Sequence, residues 1–159
     1  MARSVERVRD YLHALNSPIE VQELPNSTRT AQLAAEAVGS QLGQIVKSLI
    51  FIDEQDHTIL ALVAGDRRAD PARIASVLGV QSVRIANAEE VRARTGYAIG
   101  GVPPVAHAEG NLHQTLMDRS LLRFDKVWAA AGAPNAVFPI ERARLAELAD
   151  AQIQEIASD

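Results

Sequence analysis

An ammonium group stands where the chain is most apolar. Lys47 lies inside Gln44-Ile45-Val46-Lys47-Ser48-Leu49-Ile50-Phe51-Ile52, and β-strand alternation puts it on one face with Ile45 and Leu49 while Val46 and Ser48 point the other way. Two roles suit such a lysine. On an edge or solvent face it would snorkel its charge to water; at the mouth of a pocket it would be a fixed cation for a phosphate, a carboxylate or a developing oxyanion. Partial burial would lower its pKa and let it act as a base. A second anomaly is Thr95-Gly96-Tyr97-Ala98-Ile99-Gly100-Gly101-Val102-Pro103-Pro104. Glycine and proline mark any irregular connection, but Gly100-Gly101 also lets a ligand approach bare backbone N–H groups, and the two prolines stiffen the exit. The glycine spacing matches neither the dinucleotide fingerprint nor the P-loop.

Other chemistries find less support. With no cysteine, disulfides, zinc-thiolate sites and thiol nucleophiles are excluded together. The histidines are His13, His57, His107 and His113; only the last two are close, and their spacing is not that of metal ligands in one helix or strand. No Gly-x-Ser-x-Gly elbow occurs. Asp66-Arg67-Arg68-Ala69-Asp70 reads as a solvated charged turn whose arginines can also meet phosphates. Asp118 suits a strand-end carboxylate that orients a turn, and Phe124 and Trp128 suit the core.

The elements that position these residues follow from capping and periodicity. Ser4 caps a first helix with Val5, Val8, Leu12 and Leu15 on one face, stopped by Asn16-Ser17-Pro18. Ile19, Val21 and Glu23 alternate as a short strand. Ser27-Thr28-Arg29-Thr30 offers N-caps to an Ala-rich helix running to Val38, with Gly39 as its left-handed cap. Ile45 to Ile52 and Thr58 to Val63 form a hairpin around Asp53-Glu54-Gln55-Asp56-His57. Asp70, Pro71 and Gly79 bound another helix. Val80 to Ile85 reads as a strand, and Asn87 with Glu90 makes the capping box of a helix through Arg94. Strands are predicted at Gln114 to Met117, Lys126 to Ala130 and Ala136 to Ile140, then a final helix carrying Leu145, Leu148, Ile153 and Ile156. Without a regular βαβ rhythm, the expected class is α+β, a mixed and largely antiparallel sheet surrounded by helices.

A length of 159 residues is that of one domain. Hydrophobic residues at 47% and charged residues at 23% suit an ordinary folded protein. No apolar run is long enough to span a bilayer, and the charged start Met1-Ala2-Arg3-Ser4-Val5-Glu6-Arg7 is unlike a signal peptide, so the expected compartment is the cytoplasm. A net charge of −4 argues against a protein that wraps DNA, yet leaves room for recognition of one short nucleic-acid end.

Taken in order, Thr30 to Gly39, Gln44 to Leu49, Gly65-Asp66, Thr95 to Pro104 and Ala130-Ala131-Gly132 resemble the YbaK and prolyl-tRNA-synthetase-associated editing domain family over nearly the whole chain. The resemblance implies a partly barrel-like α+β domain, without cofactor or metal, that hydrolyses the ester of mischarged tRNA. The usual substrate would be proline tRNA carrying a smaller residue, and this chain looks like the free, trans-acting form. By position, Lys47 matches the family's key lysine, expected near the tRNA 3′ terminus or the aminoacyl ester. Gly100 and Pro104 match the ends of a G-x-x-x-P loop, with Gly101 between them, whose backbone is thought to place the substrate carbonyl and the water. Ser27, Thr28 and Thr30 would line the amino-acid pocket with Ser48, Val102 and Pro103, and Gly132 to Asn135 would close its other side. No side-chain general base is evident, in keeping with a family in which the neighbouring ribose hydroxyl assists. Asn26 stands where members often carry histidine. The Ala131-Gly132-Ala133-Pro134-Asn135 turn looks more like deacylases acting on alanine or 2-aminobutyrate than like the cysteine-clearing branch, with cysteine still open. The alternative is a module that binds an aminoacyl-tRNA end, or a synthetase partner, without turnover.

Overall fold

The computed structural model describes residues 2–25 and 30–159; Ser27 and Thr28 of the expected pocket lie outside that set, as does Asn26. The chain opens with α1 (Ala2–Ala14), whose Val5, Val8 and Leu12 are buried on one face. Ser4 is not its cap. It lies inside the first turn and is buried, because this end of the helix packs backbone to backbone: a Cβ added to Gly132 would sit 2.4 Å from the Ser4 carbonyl oxygen. The short strand expected around Ile19 to Glu23 reduces to β1 (Gln22–Glu23), the part that finds a partner.

In α2 (Ala31–Val38), Thr30 Oγ1 accepts from Leu33 N at 3.1 Å and Gly39 turns left-handed at φ 71°. The hairpin forms as β2 (Val46–Asp53) and β3 (Thr58–Ala64), paired from Val46↔Ala64 to Ile52↔Thr58. Then come β4 (Arg68–Ala69), α3 (Pro71–Leu78) under its Asp70 cap, β5 (Val83–Ile85) and α4 (Ala88–Thr95) with the expected Asn87 and Glu90 box. β5 is shorter than predicted because Val80 N bonds back to the Ala75 carbonyl and completes the helix ending. The remaining elements are β6 (Gln114–Asp118), β7 (Lys126–Ala130), β8 (Ala136–Glu141), α5 (Arg142–Leu148), β9 (Gln152–Gln154) and β10 (Ala157–Ser158).

The single final helix is therefore overturned. α5 stops at Leu148, Asp150 takes φ 49°, and Ile153 enters β9, parallel to β6 through the Met117↔Ile153 pair. Ile156 is fully buried, with its N–H held at 2.8 Å by Asp118 Oδ1. Apolar spacing alone does not separate a continued helix from a turn followed by a strand; a long-range pairing partner decides it.

The sheets are mixed. A five-stranded sheet runs β5-β2-β3-β6-β9, antiparallel on the β2 side and parallel from β3 onward; β1-β8-β7 form a second, antiparallel sheet and β10-β4 a small third one. The barrel-like closure is not reached among the described residues: beside β2, the β7 segment is paired only at an isolated parallel bridge, Ile45↔Trp128, just before β2 begins. Every residue of β3 is buried, which makes it the centre of the molecule. One apolar cluster fills the space between the two larger sheets and α1, and another lies between the far face of β3, α3 and the C-terminal segment. At about 1.5–3 kcal/mol for each fully buried Leu, Ile or Val, these layers stabilise the placement of β2 and β7. No helix among the described residues is long and apolar enough to cross a membrane.

Candidate active site

Against the N-terminal half of β2 and against β7, a cavity of about 360 Å³ opens, within the range of small-ligand sites. Its walls come from the N-terminal half of β2, the start of α2, the Gly100 loop, β7 and the β7–β8 turn. Small side chains make the room: Ala31 and Ala34 on α2, Ala129 and Ala130 on β7, Ala136 on β8. Trp128 is 9% exposed and forms part of the wall, with Lys126 Nζ 5.1 Å from its ring centroid. It is core, as its type suggested, and wall as well; its position in sequence carries no sign of the second role.

Lys47 lies on the rim. Its Nζ donates a short hydrogen bond to the Arg67 carbonyl, so the side chain is tied to the turn after β3 and does not wave in solvent. Burial is the main reason its pKa falls below the ordinary lysine value; the nearby Arg68 guanidinium lowers it further and Asp66 opposes both. Asp66 is itself engaged by Arg123 through two bonds of 2.7 and 2.9 Å, which hold its carboxyl below the usual range.

Ser48, next to Lys47, is the least satisfied residue of the wall. Its hydroxyl oxygen is buried without a hydrogen-bond partner. Its backbone is also available. The Ile50 carbonyl, on the side of β2 away from β3, accepts from Ala86 N at 2.9 Å, and the two-residue period aims the Ser48 N–H and C=O to that same side. There β5 pairs only with Phe51 to Asp53, so no strand among the described residues covers Ser48. An uncovered strand edge at a cavity wall offers a donor and an acceptor to a ligand.

The glycine loop forms another part of the wall. Gly100 lines the cavity with φ 86°, a conformation that excludes an ordinary side chain without strain, and Ile99 and Val102 flank it. Gly101 faces away and is needed for packing: a Cβ there would sit 2.7 Å from Ala133 Cα, and its carbonyl accepts from Gly132 N at 3.0 Å. The loop thus rests directly on the turn after β7. Behind it, Tyr97 is fully buried and its hydroxyl donates to the Ala106 carbonyl at 2.6 Å. His107 Nε2 lies 2.7 Å from the Pro103 carbonyl.

Of the residues expected at the site, Thr30, Lys47, Ser48, Gly100 and Val102 line the cavity. Thr30 does so while capping α2. The others stand behind this first layer. Gly101, Pro103 and Pro104 are buried in the loop, and Pro104 borders a separate depression shared with His107 and His113. Gly132 packs against Ser4, and Asn135 clamps Leu24, accepting from its N–H at 2.7 Å and donating from Nδ2 to its carbonyl at 3.2 Å. Within the expected turn it is Pro134 that lines the wall, joined by Ala136 just beyond it. Sequence reasoning missed Ile99, Val137 and the Ala129-Ala130 pair; alanines in a strand give no signal until a facing wall makes their smallness a volume. Among the described residues no group of three or more His, Asp or Glu side chains is placed to hold a metal ion.

The arrangement combines a tethered cation, a strand edge with unused backbone groups, and an apolar, alanine-rich wall. It suits an ester or phosphoester whose polar end meets the lysine and whose apolar end enters the alanine-lined wall. The family model of the aminoacyl-tRNA editing domain matches residues 25–148. The uncharacterized protein YwhH of Bacillus subtilis is 33% identical over 150 residues, covering 94% of both chains. A candidate Cys-tRNA(Pro)/Cys-tRNA(Cys) deacylase, EbsC of Enterococcus faecalis, is 23% identical over 127 residues, with 75% of this chain and 76% of EbsC covered. A crystal structure described as a candidate trans-editing enzyme for prolyl-tRNA synthetase superposes with a TM-score of 0.89 at 43% identity, over 98% of each chain.

Proposed function

This chain belongs to the aminoacyl-tRNA editing domain family, and on that premise we propose that it is a trans-acting deacylase that hydrolyses the ester of mischarged tRNA. The substrate is proline tRNA carrying a small noncognate residue, alanine or 2-aminobutyrate before cysteine. The observation that carries this reading is that Lys47 and the bare backbone of Gly100 line one alanine-walled cavity.

In the reaction, water adds to the ester carbonyl, the carbonyl oxygen becomes an oxyanion, and the acyl–oxygen bond then breaks. The ribose oxygen leaves with a proton, releasing the free amino acid and the tRNA. Lys47 holds the terminal phosphate or the oxyanion, and the backbone of the Gly100 loop places the carbonyl and the water. No side chain is assigned as general base; the vicinal ribose hydroxyl assists instead, and positioning supplies most of the rate. The bulkier wall residues Ile45, Trp128 and Val137 bound that room and favour short side chains by exclusion, where a surplus methylene is worth about 1–3 kcal/mol. Ser48 contributes its hydroxyl and backbone to the aminoacyl group, and Thr30 borders the same wall.

Hydrolysis of proline tRNA charged with alanine, 2-aminobutyrate, cysteine or serine tests the reading. Turnover of a small-residue substrate that is lost in Lys47→Ala, with the fold retained, supports it. If none is turned over while the mischarged tRNA still binds, the chain is a binding module for aminoacyl ends.

A further inference from the structure

We propose that the open groove on the outer side of Lys47 is a second subsite, in which Arg68 anchors a phosphodiester of the unpaired RNA segment that leads to the terminal nucleotide. The inference rests on the reading of the neighbouring cavity as an aminoacyl-tRNA site, and it adds the path by which the nucleic acid reaches that cavity.

The groove measures about 590 Å³ and adjoins the cavity: Lys47 and Leu49 line both. Its floor is apolar: Leu49 and Phe51 from one face of β2, and Ile85 of β5 opposite Phe51. Ile85 is 57% exposed, an uncovered aliphatic surface of the kind on which a base face can rest. Its rim is charged, and the charges do not cancel. Asp66 is engaged by Arg123, and Asp159 lies 3.2 Å from Arg67. Arg68 is exposed on β4 and has no ion-pair or side-chain hydrogen-bond partner among the described residues. It is nonetheless close enough to Lys47 to disfavour the lysine's charge.

Two cations held near one another, with the adjacent carboxylate occupied elsewhere, leave a local excess of positive charge in a chain whose net charge is −4. An anion relieves that repulsion. The volume of the groove and its exposed aliphatic floor favour a nucleotide backbone over a compact inorganic anion, since single-stranded nucleic acid is held by cations along its phosphates and by side-chain surfaces under its bases. A strand whose last nucleotide sat in the cavity would cross the Lys47 rim and lay its preceding phosphate beside Arg68.

The test compares wild type, Arg68→Ala, Arg68→Glu and Ile85→Asp on two substrates with the same amino acid: the full mischarged tRNA and the aminoacyl ester of adenosine alone, which has no phosphodiester. Binding of a fluorescent RNA tetranucleotide ending in CCA is followed in parallel. For Arg68→Ala, KM for the tRNA should rise about tenfold, and the slope of its logarithm against log salt should fall by about one phosphate contact. The effect on the adenosine ester should be at least several-fold smaller. Arg68→Glu should exceed Arg68→Ala, and Ile85→Asp should weaken the tetranucleotide without disturbing β4. Equal losses on both substrates, or none on either, overturn the subsite. If wild type hydrolyses neither substrate but binds the tetranucleotide in an Arg68-dependent way, the deacylase reading falls and the groove stands. If it hydrolyses tRNA and is indifferent to Arg68, the groove falls alone.

Discussion

His107 Nε2 donates to the Pro103 carbonyl at 2.7 Å while its Nδ1 is buried with no hydrogen-bond partner. A carbonyl only accepts, so the proton is on Nε2 and the ring is a neutral prop under the Gly100 loop. Its edge also meets the Tyr97 ring at 5.4 Å between centroids. Burial is the main cause that pushes the ring's pKa below the usual imidazole value, outweighing the Pro103 hydrogen bond. His107→Ala should lower kcat by about tenfold, the worth of one positioning bond of about 1.4 kcal/mol, with a smaller change in KM. His107→Gln, whose amide can reach the same carbonyl, should recover part of it. Acid sensitivity gives a second readout. Between the ordinary and the lowered pKa the unfolded chain binds a proton that the fold refuses, so stability falls as pH drops through that window. Denaturation at pH 7 and pH 5 should show a smaller loss in His107→Gln than in wild type.

The alkaline limb of activity reports on Lys47. The reaction as proposed uses its ammonium, and burial with Arg68 nearby lowers its pKa, so activity should fall as pH rises and should do so below the range of an ordinary lysine. The fold binds this proton less tightly than the unfolded chain does, and the charged form therefore costs stability that returns at high pH. Lys47→Arg should be slower yet keep its activity to higher pH. A limb unmoved in that variant would belong to another group.

Ala106 adopts φ 64° without being glycine, in the segment whose carbonyl receives the Tyr97 hydroxyl. The left-handed conformation costs alanine about 1–2 kcal/mol, whereas glycine loses about 0.4–1 kcal/mol more entropy on folding. The first effect wins. Ala106→Gly should raise Tm by about 2–4 °C, measured by thermal denaturation, and a lower Tm would show that the methyl group packs to greater effect than the strain costs.

Asp118 ties the C-terminal segment to the core. Its buried carboxylate accepts from Ser120 N at 3.0 Å, from the Ser120 hydroxyl, and from Ile156 N at 2.8 Å. Asp118→Ala strands these donors and should cost about 2–4 kcal/mol, given about 1.5–3 kcal/mol for a hydrogen bond to a charged group. Hydrogen exchange at the Ile156 amide should rise. Asp118→Asn keeps one acceptor and should lose about half as much in urea denaturation.

Local chemistry made several elements legible in advance. Asp70 with Pro71 and Gly79, Asn87 with Glu90, and Thr30 with Gly39 act over three or four residues along one backbone, so their types and spacing decide the helix ends wherever the chain goes. The same holds for the hairpin and for the oddity of Lys47, a charge in an apolar strand that demands a partner. The identity of that partner was not legible. The Arg67 carbonyl reaches Lys47 only because the hairpin folds back, and Ile153 becomes a strand residue only because β6 offers an edge. Trp128 and the alanines of β7 become a wall only because the chain brings them beside β2, with pairing limited to the Ile45↔Trp128 bridge. Contacts between residues far apart in sequence depend on the whole packing, and no pattern within either segment encodes them. The sequence by itself determined which residues needed an explanation; the tertiary structure decided which side of each of them faces the cavity.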